Sequence, residues 1–176
     1  MTAQESPLPP VDPKLFRRVM GQFATGVTVI TAQAEGGVRG MTANAFMSGS
    51  LSPPLCIISV AKKARMHETL TAAGHFGVSM LAQGQEPVSL HFAAQGTTDP
   101  GIVFEHMSGV PVLAGVSAAI ASKIEMIYDC GDHTLFIGHI LGMRDEGLAP
   151  LVYHAGKYAS LKYPQEKSPY PLIEFW

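Results

Sequence analysis

The sequence predicts mainly β structure: one antiparallel, closed or nearly closed β-barrel with peripheral helices. The chain of 176 residues has the size of one ordinary domain, and its 47% apolar and 15% charged residues exclude a disordered chain. About six or seven short β-branched or apolar runs are separated by turn signals. The short helical segments between these runs do not alternate regularly with them, which argues against a doubly wound parallel sheet.

The N-terminal part predicts a tail followed by one amphipathic helix. Residues 1–11 are polar and rich in proline and are typical of a tail. Asp12 and Pro13 have the pattern of an N-cap followed by proline at the first helical position. Apolar residues then recur at helical spacing, so a helix is predicted over 13–24 and is ended by Gly26.

The rest of the chain predicts strands with two further short helices. Strands are expected over 26–33, 38–46, 55–60, 75–81, 118–128, 134–143 and 151–158. Helices are expected over 66–73 and 86–94, and a loop over 95–111. The run from Asp129 to Asp132 has good turn chemistry. The domain is therefore expected to cover residues 12–163, with a C-terminal tail over 164–176.

Charge and apolar patterning exclude several classes of protein. The net charge of −2 provides no basic face for nucleic acid. No apolar run reaches the roughly 18 residues of a membrane helix, and the polar N-terminus is unlike a signal peptide, so a cytoplasmic protein is expected. Cys56 and Cys130 lie far apart in apolar stretches and are expected to be reduced, buried small hydrophobic residues. The scattered histidines and acidic residues lack metal-ligand spacing, so no metal site is expected.

The segment over 40–55, GMTANAFMSGSLSPPL, carries most of the candidate chemistry. Small residues, hydroxyls and an amide offer close backbone approach and hydrogen-bond donors for a polar ring or an anion. In a regular strand, alternation would put Thr42, Asn44, Phe46, Ser48 and Ser50 on one side. Taken alone, the segment fits a plain strand followed by a Ser/Gly/Pro loop equally well. Motifs for Rossmann, phosphate-loop and nucleophile-elbow sites are absent from the sequence.

A series of motifs resembles one known family across nearly the whole domain. In order these are FRRVMGQFATGVTVIT, GMTANAFMSGSLSPPL, KKARMHETL, GHFGVSMLA, GDHTLFIGHI and PLVYHAGKY, spanning about residues 16–161. Their order and spacing resemble the flavin reductase-like, FMN-binding split-barrel family, the reductase components of two-component flavin monooxygenases. The resemblance implies an antiparallel split β-barrel of the FMN-binding type.

The resemblance also implies which residues hold the flavin. Thr42, Ala43 and Asn44 would line the isoalloxazine ring and the ribityl chain. Ser48, Ser50 and Leu51 would contact the edge of the ring. Phosphate contacts would come from the segment that contains Lys62, Ala64, Arg65 and His67. Met66 stands where the family commonly has threonine, so the charge of Lys62, Lys63 or Arg65 is expected to replace that hydroxyl.

The resemblance further implies a catalytic turn and an activity. Gly131, Asp132 and His133 match a turn that lies beside the nicotinamide in the family, and His133 is the candidate catalytic residue. The implied enzyme is an NAD(P)H:flavin oxidoreductase that uses FMN or FAD with NADH or NADPH. It would form a homodimer and supply reduced flavin to a partner monooxygenase. Alternatives are a flavin-binding electron carrier and a split-barrel reductase with another acceptor.

Overall fold

The structure is a computed structural model that describes residues 10–94, 96 and 100–162. Most of the tails predicted over 1–11 and 164–176 lie outside these residues. In the described part of the chain, no helix is long and apolar enough to cross a membrane.

Helices α1 to α3 and strands β1 to β12 make up the described chain. The helices are α1 (Pro13–Met20), α2 (Arg65–Ala73) and α3 (Glu86–Phe92). The strands are β1 (Thr25–Gly26), β2 (Thr28–Ala34), β3 (Gly37–Ala43), β4 (Phe46–Leu51), β5 (Pro54–Ala61), β6 (His75–Met80), β7 (Phe104–Met107), β8 (Val110–Leu113), β9 (Ala118–Cys130), β10 (His133–Asp145), β11 (Val152–His154) and β12 (Lys157–Ala159).

The main sheet has seven strands in the order β3-β2-β6-β9-β10-β5-β4. Each neighbouring pair is antiparallel. The edge strands β3 and β4 follow each other in the chain and are joined only by Asn44 and Ala45. The sheet therefore curls into a barrel that is split between β3 and β4, which confirms the predicted architecture.

Two apolar clusters lie on opposite sides of the sheet. The first fills the barrel with side chains from β2, β5, β6, β9, β10 and α2, among them Ile30, Ile58 and Phe136. The second includes Val29, Val112 and Leu151 and lies under the β7–β8 hairpin, α3 and β11. Successive residues of β2 alternate between the clusters, because neighbouring side chains on a strand point to opposite faces. By the same alternation, successive side chains of β3 face the two clusters in turn.

Several predicted boundaries were wrong, each for an identifiable reason. Helix α1 ends at Met20 because Gly21, rather than Gly26, caps it with backbone bonds to Arg17 and Val19. The predicted loop over 95–111 contains strand β7 and the start of strand β8. Strand β4 was missed, because its Ser- and Gly-rich sequence lacks the β-branched residues that mark strands.

Candidate functional site

The split of the barrel opens onto three neighbouring cavities that share Asn44. Their volumes are about 180, 220 and 410 Å³. Asn44 is exposed, and the next residue, Ala45, accepts a backbone bond of 3.0 Å from Ser59 on β5. The connection between β3 and β4 is thereby fixed against β5, and the Asn44 amide lies at the meeting point of all three cavities.

The smallest of these cavities, here named the tyrosine cavity, lies between β3, α3 and the β11–β12 hairpin. It is lined by Val27, Thr42, Ala43, Asn44, Ser89, Ala93, Tyr153 and Tyr158. The Thr42 hydroxyl donates to the Ser89 carbonyl oxygen at 2.6 Å, and the Tyr158 hydroxyl donates to the Ser89 side chain at 2.9 Å. Thr42, Ala43 and Asn44 thus line one cavity, with the Thr42 hydroxyl bonded to α3, and their contacts to flavin stay a prediction.

Strand β4 does not present its serines on one side, contrary to the alternation expected from a regular strand. Ser48 lies opposite Cys56, whereas Ser50 lies opposite Leu55, and the register shifts between them. Residues that face each other on neighbouring strands project to the same side of a sheet. Because Cys56 and Leu55 project to opposite sides, the bulge at Gly49 places Ser48 and Ser50 on opposite faces.

The predicted phosphate segment forms the turn into α2 and the first turn of that nine-residue helix. Ala64 occupies the N-cap and provides no side-chain bond, so the first backbone N–H groups of the helix lack that partner. Lys62 and Arg65 are exposed beside it. The His67 side chain instead contacts β10: its Nε2 lies 2.8 Å from the Thr134 hydroxyl, and its ring meets the Phe136 ring edge-on.

Gly131, Asp132 and His133 form the tight turn between β9 and β10. Gly131 has a φ of 61°, in the left-handed region that favours glycine. His133 Nδ1 lies 2.8 Å from an Asp132 carboxylate oxygen. This hydrogen bond, together with the charge of His133, lowers the pKa of Asp132 below its ordinary value of 3.8. The carboxylate holds the imidazole by Nδ1, and the His133 side chain is 42% exposed.

The turn and the phosphate segment form one group, here named the basic cluster, consisting of residues 62–67 and 129–133. The Lys62 backbone N–H donates to the Asp132 carbonyl oxygen at 3.0 Å. The Lys62 ammonium lies 3.2 Å from an Asp129 carboxylate oxygen. Ser59, which bonds Ala45, precedes Lys62 by three residues, so this cluster lies roughly 10 Å along β5 from the Asn44 junction.

Ser50 and Leu51 belong neither to the lining of the tyrosine cavity nor to the basic cluster. Ser50 lies opposite Leu55, and Lys62 follows Leu55 by seven positions along β5 and its turn, a span of roughly 23 Å. Their contacts to flavin therefore stay a prediction.

The sequence interpretation missed Ser89, Ala93, Tyr153 and Tyr158. The two tyrosines lie on the short β11–β12 hairpin, with ring centroids 5.5 Å apart and planes at 65°. A pair of tyrosines near the end of the predicted domain was a usable signal. No signal in the sequence pointed to Ser89, because its partner Tyr158 is 69 residues away in the chain.

The outer face of the β4–β5–β10–β9 part of the sheet is apolar and uncovered in a single chain. Met47, Ile57, Ile137 and Met126 follow one another across these four strands. Met47 is 58% exposed and Tyr128, in the next row, is 52% exposed. The largest cavity at the split joins this face to the end of α1.

Comparisons with known proteins agree with this arrangement. The model of the flavin reductase like domain matches residues 20–162. An NADH-dependent flavin reductase of Rhodococcus sp is 40% identical over 157 residues, covering 88% of this chain and 89% of that protein. The reductase component of 4-hydroxyphenylacetate 3-monooxygenase from Thermus thermophilus is 39% identical over 151 residues, covering 85% and 97%. The solved flavin reductase PheA2 superposes with a TM-score of 0.84 at 42% identity, covering 87% of this chain and all of that one.

Proposed function

The chain belongs to the flavin reductase-like domain family, and on that premise we propose that it transfers a hydride from NADH to FMN or FAD at the split of its barrel. The observation that supports this function most directly is the position of Asn44. Three cavities share this residue, and it lies roughly 10 Å from the basic cluster. A flavin needs this combination, because its ring is uncharged and its phosphate is anionic. When bound there, a flavin would supply N5 as the hydride acceptor and a nicotinamide would supply the hydride from C4.

The phosphate end of the flavin fits the start of α2. The helix N-terminus offers backbone N–H groups without a side-chain cap, and Arg65 adds positive charge beside Lys62, whose ammonium is paired with Asp129. These two contributions compensate for the missing hydroxyl at Met66, which is buried in the barrel core. The role of His67 is then to fix α2 against β10 through Thr134, so that the N-terminus keeps its direction.

The ring end of the flavin fits the Asn44 junction. The Asn44 amide offers both a donor and an acceptor to the polar edge of the ring. Phe46 and Leu81 supply apolar surface in the neighbouring cavity. Donors aimed at that edge stabilise the negative charge that builds on the ring during reduction.

His133 orients the nicotinamide in this proposal. Asp132 holds its Nδ1, so its Nε2 is free to contact the carboxamide or the ribose of NADH. Hydride transfer needs no general acid, and His133 therefore contributes by positioning the reactants at near-attack distance.

A homodimer is part of the same proposal. Apolar outer faces of this kind are rarely left in water, and a second copy would cover Met47, Ile57 and Tyr128. A stable homodimer would bury more than about 2,000 Å² in total. A flavin-dependent monooxygenase is the proposed recipient of reduced flavin, because a similar protein is named as a reductase component. The cytoplasmic location stays a prediction.

Steady-state NADH oxidation tests the function against its alternatives. We expect oxidation to depend on added FMN or FAD and to saturate with either. An electron carrier would instead retain flavin tightly and turn over slowly. A reductase with another acceptor would oxidise NADH faster with that acceptor than with free flavin.

A further inference from the structure

We propose that Asp129 sets how tightly the flavin phosphate is held, because it competes with that phosphate for the Lys62 ammonium. Asp129 is a positioning residue in this proposal, since it acts through Lys62 and does not itself touch the flavin. The inference rests on the proposed function, because that function brings a flavin phosphate to the start of α2. Its consequence is a flavin that exchanges readily, as a substrate that leaves after reduction must do.

The register of three strands places Asp129 beside the start of α2. Asp129 on β9 lies opposite Thr134 on β10, and Thr134 lies opposite Val60 on β5. Residues that lie opposite one another project to the same side of a sheet. Helix α2 covers that side, because His67 in its first turn contacts the Thr134 hydroxyl with Nε2 at 2.8 Å. The Asp129 carboxylate therefore lies at the end of the barrel where the phosphate segment begins.

The backbone of Lys62 is fixed, but its side chain has two partners within reach. The Lys62 backbone N–H donates to the Asp132 carbonyl oxygen at 3.0 Å, and the Ala64 N–H donates to the Ala61 carbonyl oxygen at 2.9 Å. These bonds form a tight turn that leads directly into α2. From this turn, the flexible four-carbon lysine side chain can direct its ammonium to Asp129 or to a phosphate at the helix N-terminus. The structure places the ammonium 3.2 Å from an Asp129 carboxylate oxygen.

The ion pair between Lys62 and Asp129 is exposed enough for a phosphate to displace the carboxylate. The two side chains are 43% and 85% exposed, respectively. Such surface pairs change an equilibrium constant only about one- to fivefold, because water and salt screen them. A phosphate monoester carries a charge of about −1.5 to −2 at pH 7 and three acceptor oxygens, so it attracts the ammonium more strongly than a single carboxylate does. Flavin binding then includes the loss of this ion pair, which weakens FMN by the same small factor.

Two other carboxylates near the phosphate segment also oppose an anion, but in a different way. The hydrogen bond and the charge of His133 lower the pKa of Asp132, so this carboxylate is ionised at neutral pH. Glu68 adds a negative charge in the first turn of α2. Asp129 differs from both, because it is paired directly with a lysine ammonium. Its removal therefore frees a cation for the phosphate as well as deleting an anion.

A double-mutant cycle, measured with FMN and riboflavin at about 0.15 M salt, tests the proposal. In Asp129→Asn, we expect the Kd of FMN to fall about two- to fivefold, and the Kd of riboflavin, which has no phosphate, to stay unchanged. In a Lys62→Gln background, Asp129→Asn should leave the Kd of FMN unchanged, because no ammonium remains to be freed. Glu68→Gln is the matched control, because it removes one negative charge from the same segment and its effect should not depend on Lys62.

Three results would overturn the competition for Lys62. These are an unchanged Kd of FMN in Asp129→Asn, equal strengthening of FMN and riboflavin, and strengthening of FMN that is the same with and without Lys62. Reduction of riboflavin by NADH in the same variants tests the proposed function separately, because riboflavin has the reacting ring and lacks the phosphate. If NADH reduces riboflavin, the proposed function stands whatever the result at Asp129.

Discussion

Replacing His133 by alanine tests the role that we propose for the turn between β9 and β10. The structure leaves one imidazole nitrogen for the nicotinamide, since Asp132 occupies the other at 2.8 Å. One or two contacts from a half-exposed ring are worth about 1–2 kcal/mol, so kcat/KM for NADH should fall roughly five- to thirtyfold. The Kd of FMN should change little, because the flavin contacts that we propose lie on α2 and at the Asn44 junction.

Stopped-flow kinetics under anaerobic conditions separates nicotinamide binding from hydride transfer in His133→Ala. His75→Ala is the matched control, because His75 is exposed at the start of β6 and, among the described residues, its side chain bonds only the Ala73 carbonyl oxygen. Unchanged NADH kinetics would refute the assignment. Parallel loss of flavin and nicotinamide binding would make His133 a structural residue of the hairpin.

The same variant has a consequence for the titration of Asp132. Because the hydrogen bond and charge of His133 lower the pKa of that carboxyl, the ionised pair persists to a pH below 3.8 and is lost as the pH falls further. In His133→Ala, the pKa of Asp132 should return upward toward 3.8, which NMR titration of the carboxyl carbon measures. An unshifted pKa would contradict the contact.

Three further predictions concern the phosphate site, the dimer and the thiols. Arg65→Ala should weaken FMN by about 1.5–3 kcal/mol and leave riboflavin, which has no phosphate, nearly unaffected; equal weakening of both would refute the phosphate site. Met47→Asp places a charge in the apolar outer face and should convert the homodimer to monomer in light scattering, whereas an unaltered protein that is already monomeric would rule the dimer out. Burial raises the pKa of the Cys56 thiol, so it should stay protonated and unreactive at pH 8 while exposed Cys130 reacts; two reactive thiols in the native protein would contradict this.

The central strands could be predicted because their sequences carry a strong local signal. The runs over 55–60 and 118–128 are rich in β-branched and apolar residues, and both proved to lie in strands of the barrel, β5 and β9. The glycine and aspartate of the β9–β10 turn likewise specify a tight turn by their own conformational preferences. These features depend on neighbours in the chain, and the sequence displays them directly.

The features that were not predicted correctly depend on contacts between residues that are distant in the chain. Strand β4 pairs with β5 although its own sequence favours a loop, and its bulge at Gly49 separates Ser48 from Ser50. The tyrosine cavity requires α3 and the β11–β12 hairpin to meet through Ser89 and Tyr158. Periodicity reports which face of an element is apolar, but it does not identify the element that packs there.

Anaerobic stopped-flow mixing of NADH with the protein and either FMN or FAD tests the central claim most directly. We expect rapid bleaching of the flavin absorbance with one NADH oxidised per flavin reduced, and no NADH oxidation by a flavin-free preparation to which no flavin is added. Failure of NADH to reduce either flavin, with the protein folded and the flavin bound, would contradict it.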